Sequence, residues 1–282
     1  MSRRLIWRKG VNAVMLTITG VFTVITVATI FLILGYLVYY GGRSLDWNFF
    51  TKLPLSAGEE GGGMANAILG SLEIVGMAGL IGLPVGFLAG VYLSEFEDKF
   101  FGSLVRYVAD LLNGIPSIVV GLLAWSLVVV PMKQFSAVAG SIALSVMLIP
   151  VVARQTEQFL REVPNPLREA ALALGASKWR MIATVAVPAG SKGILTGMIL
   201  GMARIAGESA PLLFTAFNNQ FWSGGITQPT ASLPVMIYFR ALSGYEDWHR
   251  QAWAAGLVLL VMMLVANVGA RLILSPRGAQ SA

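Results

Sequence analysis

Six stretches of this 282-residue sequence run for at least 20 residues without one Asp, Glu, Lys or Arg: Gly10 to Gly42, Ile74 to Ser94, Leu111 to Met132, Gln134 to Ala153, Ser209 to Phe239 and Gln251 to Ala270. A helix needs roughly 20 apolar residues to cross the hydrocarbon of a bilayer, and there its backbone groups must be satisfied within the segment. Runs of this length and number predict an all-α, polytopic membrane protein. Composition agrees. The chain is 56% hydrophobic and only 12% charged, with a mean hydropathy of +0.73, whereas soluble domains carry about a quarter charged residues. Cysteine is absent, which excludes a disulfide framework, a thiolate metal site and a cysteine nucleophile. The lone His249 sits in a polar, aromatic loop and cannot converge several metal ligands by itself. No metal and no cofactor are expected on this chain.

The opening MSRRLIWRKG puts Arg3, Arg4, Arg8 and Lys9 ahead of an apolar run, as a signal peptide does. The run far exceeds the about 7–15 residues of a signal core, and no small-residue cleavage pattern closes it. It is expected to be a retained first span. Six spans are expected, at about 13–40, 65–93, 109–131, 136–153, 192–217 and 251–274. The organisation is then a cytoplasmic tail 1–12, a transmembrane permease domain 13–274 holding a cytoplasmic loop 154–191, and a cytoplasmic tail 275–282. With that orientation 14 of the 20 Lys and Arg flank the inner ends, five flank the outer ends, and Arg204 is left inside the membrane. This is the bias of the positive-inside rule. The net charge of +6 therefore reports topology. No basic patch with interleaved aromatics points to nucleic acid, so lipid is the first partner.

Small residues recur at packing spacing. Gly82, Gly86 and Gly90 lie four apart in the second span, and Gly197 and Gly201 in the fifth. Such ridges let two backbones approach in lipid, within one subunit or between two. Glu73, toward the outer side of the second span, reads equally as a buried structural partner or a gate residue.

Between spans four and five, REVPNPLREAALALGASKWRMIATVAVPAG parses as helix, stop, helix. Asn165 suits an N-cap and Pro166 the first helical position. Leu167, Ala170, Ala171 and Leu174 then share one helical face. Gly175 can take the left-handed conformation that ends a helix, and Ser177 can cap the next. Two short helices with a small-residue face either dock on a partner or lie on the headgroups, where Trp179 and the basic residues would also serve.

The same residues resemble a known pattern. Glu169-Ala170-Ala171, then Gly175 three residues on, and Val185-Ala186-Val187-Pro188 after nine more are similar to the EAA loop of ABC-importer permeases, written EAA-x3-G-x9-I-x-L-P. Val185 and Val187 replace the usual Ile and Leu. The resemblance implies a type I importer permease of the MetI-like fold, whose loop forms coupling helices that enter a groove on an ATP-binding subunit. Glu169, Ala170, Ala171 and Gly175 would lie at that contact, with Trp179 and Arg180 next to it. The sequence nowhere contains G-x-x-x-x-G-K-[ST], the loop that cradles nucleotide phosphates, so any ATP belongs to another chain and this one is not expected to be an enzyme.

The fifth span carries Arg204 and Glu208 in GMARIAGESAPLLFTA, one helical turn apart and near its middle. A charge at a helix centre costs about 2.5–3.5 kcal/mol on the insertion scale, so neither should face lipid. They could neutralise each other, or Arg204 could hold an oxyanion through its forked donors while Glu208 steadies it when empty. Gly207 and Pro211 would loosen the helix there. A second break, DLLNGIPSIVVGLLAW, places Asp110 and Ser117 beside Asn113, Gly114 and Pro116. It reads as an interrupted helix exposing termini to substrate, with Ser117 a third candidate contact, or as an interfacial helix turning into the third span.

DLLNGIPSIVVGLLAW, the EAA loop and ARIAGESAPLLFTA together resemble the permeases of phosphate-specific ABC importers, in which the Arg at the position of Arg204 is associated with phosphate passage. The resemblance implies a homologous second permease, a dimer of ATP-binding subunits and an external phosphate-binding protein as partners, in a bacterial inner membrane. A permease for sulfate or molybdate fits the same Arg chemistry. A secondary transporter or channel without an ATPase, or a scaffold without transport, fits the spans but not the EAA spacing.

Overall fold

The long apolar runs become long helices whose ends are set by proline, glycine and capping side chains. In the computed structural model, which describes residues 3–96 and 99–274, every regular element among the described residues is helical. α1 (Arg3–Arg43) includes most of the expected tail 1–12, and α2 (Trp47–Thr51) is capped by Asp46, whose carboxylate accepts the Phe49 N–H at 2.8 Å. The order continues through α3 (Ala65–Glu95), α4 (Lys99–Gly114), α5 (Ser117–Met132) and α6 (Ala137–Arg161). It ends with α7 (Asn165–Ala173), α8 (Lys178–Ala206), α9 (Ala210–Thr215), α10 (Leu233–Ala241) and α11 (Glu246–Leu274). The expected tail 275–282 lies outside the described residues.

Among the described residues five helices, α1, α3, α6, α8 and α11, are individually long and apolar enough to span a bilayer. A sixth crossing exists if α4 and α5, bent by 104° at their junction, are counted as one. The expected third span, about 109–131, is therefore cut. Gly114 ends α4, and Pro116, which has no N–H and disfavours helix at the residue before it, occupies the N-cap position of α5. Because α4 is strongly amphipathic, the break is the turn from an amphipathic helix into a span. The expected fourth span runs on to Arg161, two turns past its last apolar stretch. The expected fifth span, 192–217, instead starts at Lys178 and stops at Ala206.

Pro84 and Pro150 lie within uninterrupted α-helix, whereas two other prolines follow wider turns. Trp125–Val129 in α5 and Ile182–Ala186 in α8 are π-helical turns, and Pro131 and Pro188 follow within two residues of each. A wider turn keeps the pyrrolidine ring clear of the carbonyl four residues back and absorbs the missing N–H.

The central pair is α3 against α6, and its glycine ridge packs within this subunit. A Cβ on Gly82 would lie 2.9 Å from Leu148 Cδ2, on Gly86 2.8 Å from the Ile149 oxygen, and on Gly90 2.5 Å from the Ala153 oxygen. In α8, Gly197 and Gly201 abut Gln155 and Leu148 of α6 in the same way. Overpacking of this kind costs roughly 1–3 kcal/mol, more where backbone must yield. Gly90→Ala is therefore expected to lower the melting temperature of the detergent-solubilised protein clearly, whereas Gly20→Ala, with nothing within 4 Å of the new methyl, leaves it unchanged.

Three apolar clusters are strung along α3. Met64 and Ala67 join Phe49, Leu233 and Met236 at its first turn; Ile74 and Ala78 meet Leu144, Leu148, Ile205 and Leu212 in the middle; Val91 meets Leu160, Met181 and Ile182 near its end. α1 stands apart, its apolar stretch unburied by the rest of the chain, as suits a helix solvated by lipid. Only its last turns reach α11, where Tyr40 stacks on Trp253 at 5.9 Å and Gly41 meets the Trp253 carbonyl.

Candidate functional site

Two groups of candidate residues emerge from the sequence, and the structure places them differently. The coupling segment is built by α7, a glycine turn and the start of α8. Gly175 has φ +83, the Ala176 N–H bonds the Ala171 carbonyl at 3.2 Å and the Gly175 N–H bonds Leu172 at 3.0 Å. These two bonds form a Schellman stop. Asn165 is the first helical residue rather than the N-cap, because Pro164 takes the cap backbone position with no side-chain bond. Ser177 sits at the next N-cap with an extended backbone, but its hydroxyl makes no capping bond. The second short helix expected after the glycine is absent: from Lys178 the chain is already the long α8.

Glu169, Ala170, Gly175, Trp179 and Arg180 are exposed, while Ala171 is half-buried against the Val91–Leu160–Ile182 cluster. Leu174 is 89% exposed and Leu167 and Leu172 are also open. α7 thus presents polar and apolar side chains outward and is held from behind by charge. Arg168 pairs with the buried Glu95 at the end of α3 (2.7 Å) and also donates to the Leu160 carbonyl. Beside it, buried Glu157 accepts from Arg106 at 2.6 Å, Arg154 at 2.9 Å and Arg161 at 2.9 Å, and Arg154 reaches Asp110 at 3.1 Å. This network ties α4 to α6, and Arg168 ties α7 to α3. Of these pairings, only Arg154–Glu157 and Glu157–Arg161, three and four residues apart on one helix, have a spacing that sequence can show; those of Arg106, Asp110 and Arg168 had no signal beyond charge clustering at the ends of apolar runs.

The second group lies where α8 stops. Arg204 is in its last turn, Gly207 caps the end, and the Gly207 and Glu208 N–H groups bond the Arg204 and Ile205 carbonyls at 3.2 Å. Glu208 is therefore beyond the helix, not one turn along it, and Arg204 is at a helix end rather than in mid-span. The expected ion pair between them is not formed: neither side chain has an ion-pair or hydrogen-bond partner among the described residues. Arg204 is exposed and Glu208 half-buried.

Ser117 belongs to the same neighbourhood. A Cβ on Gly121 would be 2.7 Å from Pro211 Cα, so α5 packs directly on α9. Both helices run toward the end at which the Ser136 N–H meets the Thr215 carbonyl at 3.0 Å. Ser117, four residues before Gly121 and on its face, is therefore level with the break at 207–209. At about this level of the bundle stand Arg204 and Glu208, neither paired among the described residues, the Ser117 hydroxyl and a broken helix end. Arg204 can offer forked donors to an anion. Glu73 is half-buried without a side-chain partner among the described residues.

Comparison with known proteins places the chain. Residues 82–276 match the family model described as the binding-protein-dependent transport system inner membrane component. The chain therefore belongs to that family of importer permeases, and its near relatives carry one name within it. The phosphate transport system permease protein PstA of Yersinia pestis is 42% identical over 96% of this chain and 92% of its own length. PstA of Haemophilus influenzae is 43% identical over 95% of each, and the probable PstA of Methanocaldococcus jannaschii 37% over 92% of each. Among solved structures, an alginate ABC transporter chain superimposes with a TM-score of 0.65 at 17% identity, over 96% of both chains. A chain of the inward-facing MetNI methionine ABC transporter gives 0.62 at 20% identity, over 74% of this chain and 95% of that one. These distant likenesses establish the fold, a MetI-like importer permease.

Proposed function

We propose that this chain is a permease subunit of an ATP-driven importer of inorganic phosphate. The observation that carries the reading is full-length likeness to PstA proteins in a chain whose broken helix end holds the unpaired Arg204. The chain sits in the inner membrane with both termini cytoplasmic. It pairs with a homologous, PstC-like permease, receives phosphate from a PstS-like external binding protein, and hands α7 to a dimer of PstB-like ATP-binding subunits. It binds no cofactor; ATP is held and hydrolysed by the partner. ATP binding draws the two ATPases together, and α7 moves with them. Through Arg168–Glu95 and the continuous start of α8, that displacement reaches α3 and the helix that ends at Arg204. Two conformations within a few kcal/mol of each other suffice for partners to bias the cycle.

Proteoliposomes holding both permeases and the ATPase, supplied with loaded binding protein, are expected to accumulate labelled phosphate only with ATP and only with every partner present. Uptake that persists without any ATPase overturns the reading. ATP-dependent accumulation of labelled sulfate or molybdate, with no accumulation of labelled phosphate, reassigns the anion.

A further inference from the structure

Among the described residues Arg240 is the only Lys or Arg that the fold buries, at 3% exposure. It lies in the last turn of α10, outside the apolar spans. Its Nη1 is enclosed with no hydrogen-bond partner, and no carboxylate of the described residues lies within ion-pair distance. The guanidinium stacks 5.2 Å from the Trp248 ring centre. Asp247 favours the charge from further off but is engaged by Gln251 at 2.8 Å. Burial, partly countered by Asp247, pushes the Arg240 pKa down to about 10, which leaves it a cation at neutral pH. An unpaired buried charge is costly and normally has a partner.

Beside Arg240, whose Nη1 is itself sealed from the open space, is a cavity of about 270 Å³ with a mainly apolar wall of Pro54, Leu55, Phe217, Met236, Phe239 and Trp248, to which only Asn218 and Gln220 add further polar side chains. Liquid water takes about 30 Å³ per molecule, so the space admits a partly hydrated oxyanion. Its wall includes no carboxylate. Asn218 and Gln220 add side-chain amides to it, and the Asn218 Oδ1 is already taken by the Asn219 N–H at 2.8 Å, which leaves the amide nitrogen as a donor. Phe217 is held at φ 62, a conformation that non-glycine residues adopt rarely and at a cost. Its ring is clamped between Phe135 at 4.9 Å and Phe239 at 6.4 Å. The strain fixes the turn from α9, the element after Arg204 and Glu208, into the cavity wall.

The cavity is at the opposite end of the bundle from α7. Asn66, in the first turn of α3, donates to the Asn219 and Phe221 carbonyls at 2.7 and 3.3 Å, whereas Glu95 at the far end holds Arg168. α3 has 31 residues, about 46 Å at 1.5 Å per residue. With α7 cytoplasmic, Arg240 faces the side from which substrate arrives.

We propose that the Arg240 cavity is an outer oxyanion-binding subsite that holds inorganic phosphate before it passes to the break at Arg204. The inference rests on the phosphate-import reading above. A carboxylate of the docked binding protein offers the same chemistry, so the test must separate the two sources.

The assembled permease–ATPase complex in nanodiscs, without binding protein, is titrated with inorganic phosphate while tryptophan fluorescence is followed. A saturable change is expected, lost in Trp248→Phe and Arg240→Gln, retained in Arg240→Lys, and shifted several-fold to higher phosphate in Asn218→Ala. In proteoliposomes with loaded binding protein, Arg240→Gln is expected to slow phosphate uptake at least tenfold with binding-protein docking unchanged. Removing an unpaired buried charge relieves its desolvation cost, which offsets the space left by the shorter Gln, and a melting curve checks that the fold is kept. Wild-type uptake and titration in Arg240→Gln overturn the subsite. So does weakened docking with an unchanged titration, which assigns the cavity to a protein carboxylate. A wild-type complex that imports no phosphate at all overturns the parent reading instead, and a complex that imports phosphate but shows no titration overturns only the subsite.

Discussion

Arg204→Ala is expected to reduce ATP-dependent phosphate uptake to background, a loss of at least about 100-fold, with the protein still inserted and assembled. The size follows from what the guanidinium can give an anion. A hydrogen bond to a charged group is worth about 1.5–3 kcal/mol, and a bidentate fork makes two of them, while each 1.4 kcal/mol is tenfold. Assembly should survive because Arg204 is exposed and pairs with none of the described residues, so its removal orphans no buried group among them. Arg204→Lys keeps the charge but loses the fork, and an intermediate, roughly tenfold loss is expected. Glu208→Gln is expected to have a milder effect, since Glu208 does not hold Arg204 in the structure. Uptake by proteoliposomes, set beside the melting temperature of each variant, measures all three. Full uptake in Arg204→Ala would remove the anion role.

What sequence could and could not reveal follows from the range of the forces involved. The stop at Gly175 was readable because a left-handed residue is a local demand that glycine meets, and the glycine ridge because its four-residue spacing is a local pattern. The break at Pro116 was readable too, though only the structure resolved it into an amphipathic helix meeting a span at 104°. The end of α8 was misplaced. A lone glycine in an apolar helix is tolerated, so Gly207 did not outweigh the apolar run that continues through Leu212 and Phe214. That error put Arg204 and Glu208 one turn apart on a single helical face, where they could either neutralise each other or share the handling of an anion. Glu157 with Arg106, and Glu95 with Arg168, are joined across 51 and 73 positions of chain, beyond any periodicity. Arg240 was counted only as an outer-side cation, and nothing local marks it as buried. The EAA segment is the opposite case: its local physics left docking and headgroup binding equal, and only its likeness to a family chose between them.

Gly175→Pro is expected to uncouple the complex: ATPase subunits no longer co-purify, or they hydrolyse ATP without responding to loaded binding protein, and uptake is lost. Proline fixes φ near −65°, against the +83 that the turn requires, and it deletes the N–H that closes the stop on Leu172. The exit from α7 must then change direction, and with it the exposed face of Glu169, Ala170 and Leu174. Gly175→Ala separates backbone strain from lost geometry. Nothing lies within 4 Å of the added methyl, so only the left-handed penalty of roughly 1–2 kcal/mol applies, and a partial, several-fold loss is expected. The Arg168–Glu95 pair supplies the control on mechanism. Arg168→Ala leaves the Gly175 turn intact but strands a buried carboxylate, a defect of about 3–5 kcal/mol, so α7 keeps its shape and loses its anchor to α3. If α7 transmits motion through that anchor, Arg168→Ala retains ATPase binding yet raises the ATP hydrolysed per phosphate carried. Normal coupling in Gly175→Pro would return the segment to a role on the headgroups, and normal stoichiometry in Arg168→Ala would leave the start of α8 as the route from α7 to Arg204.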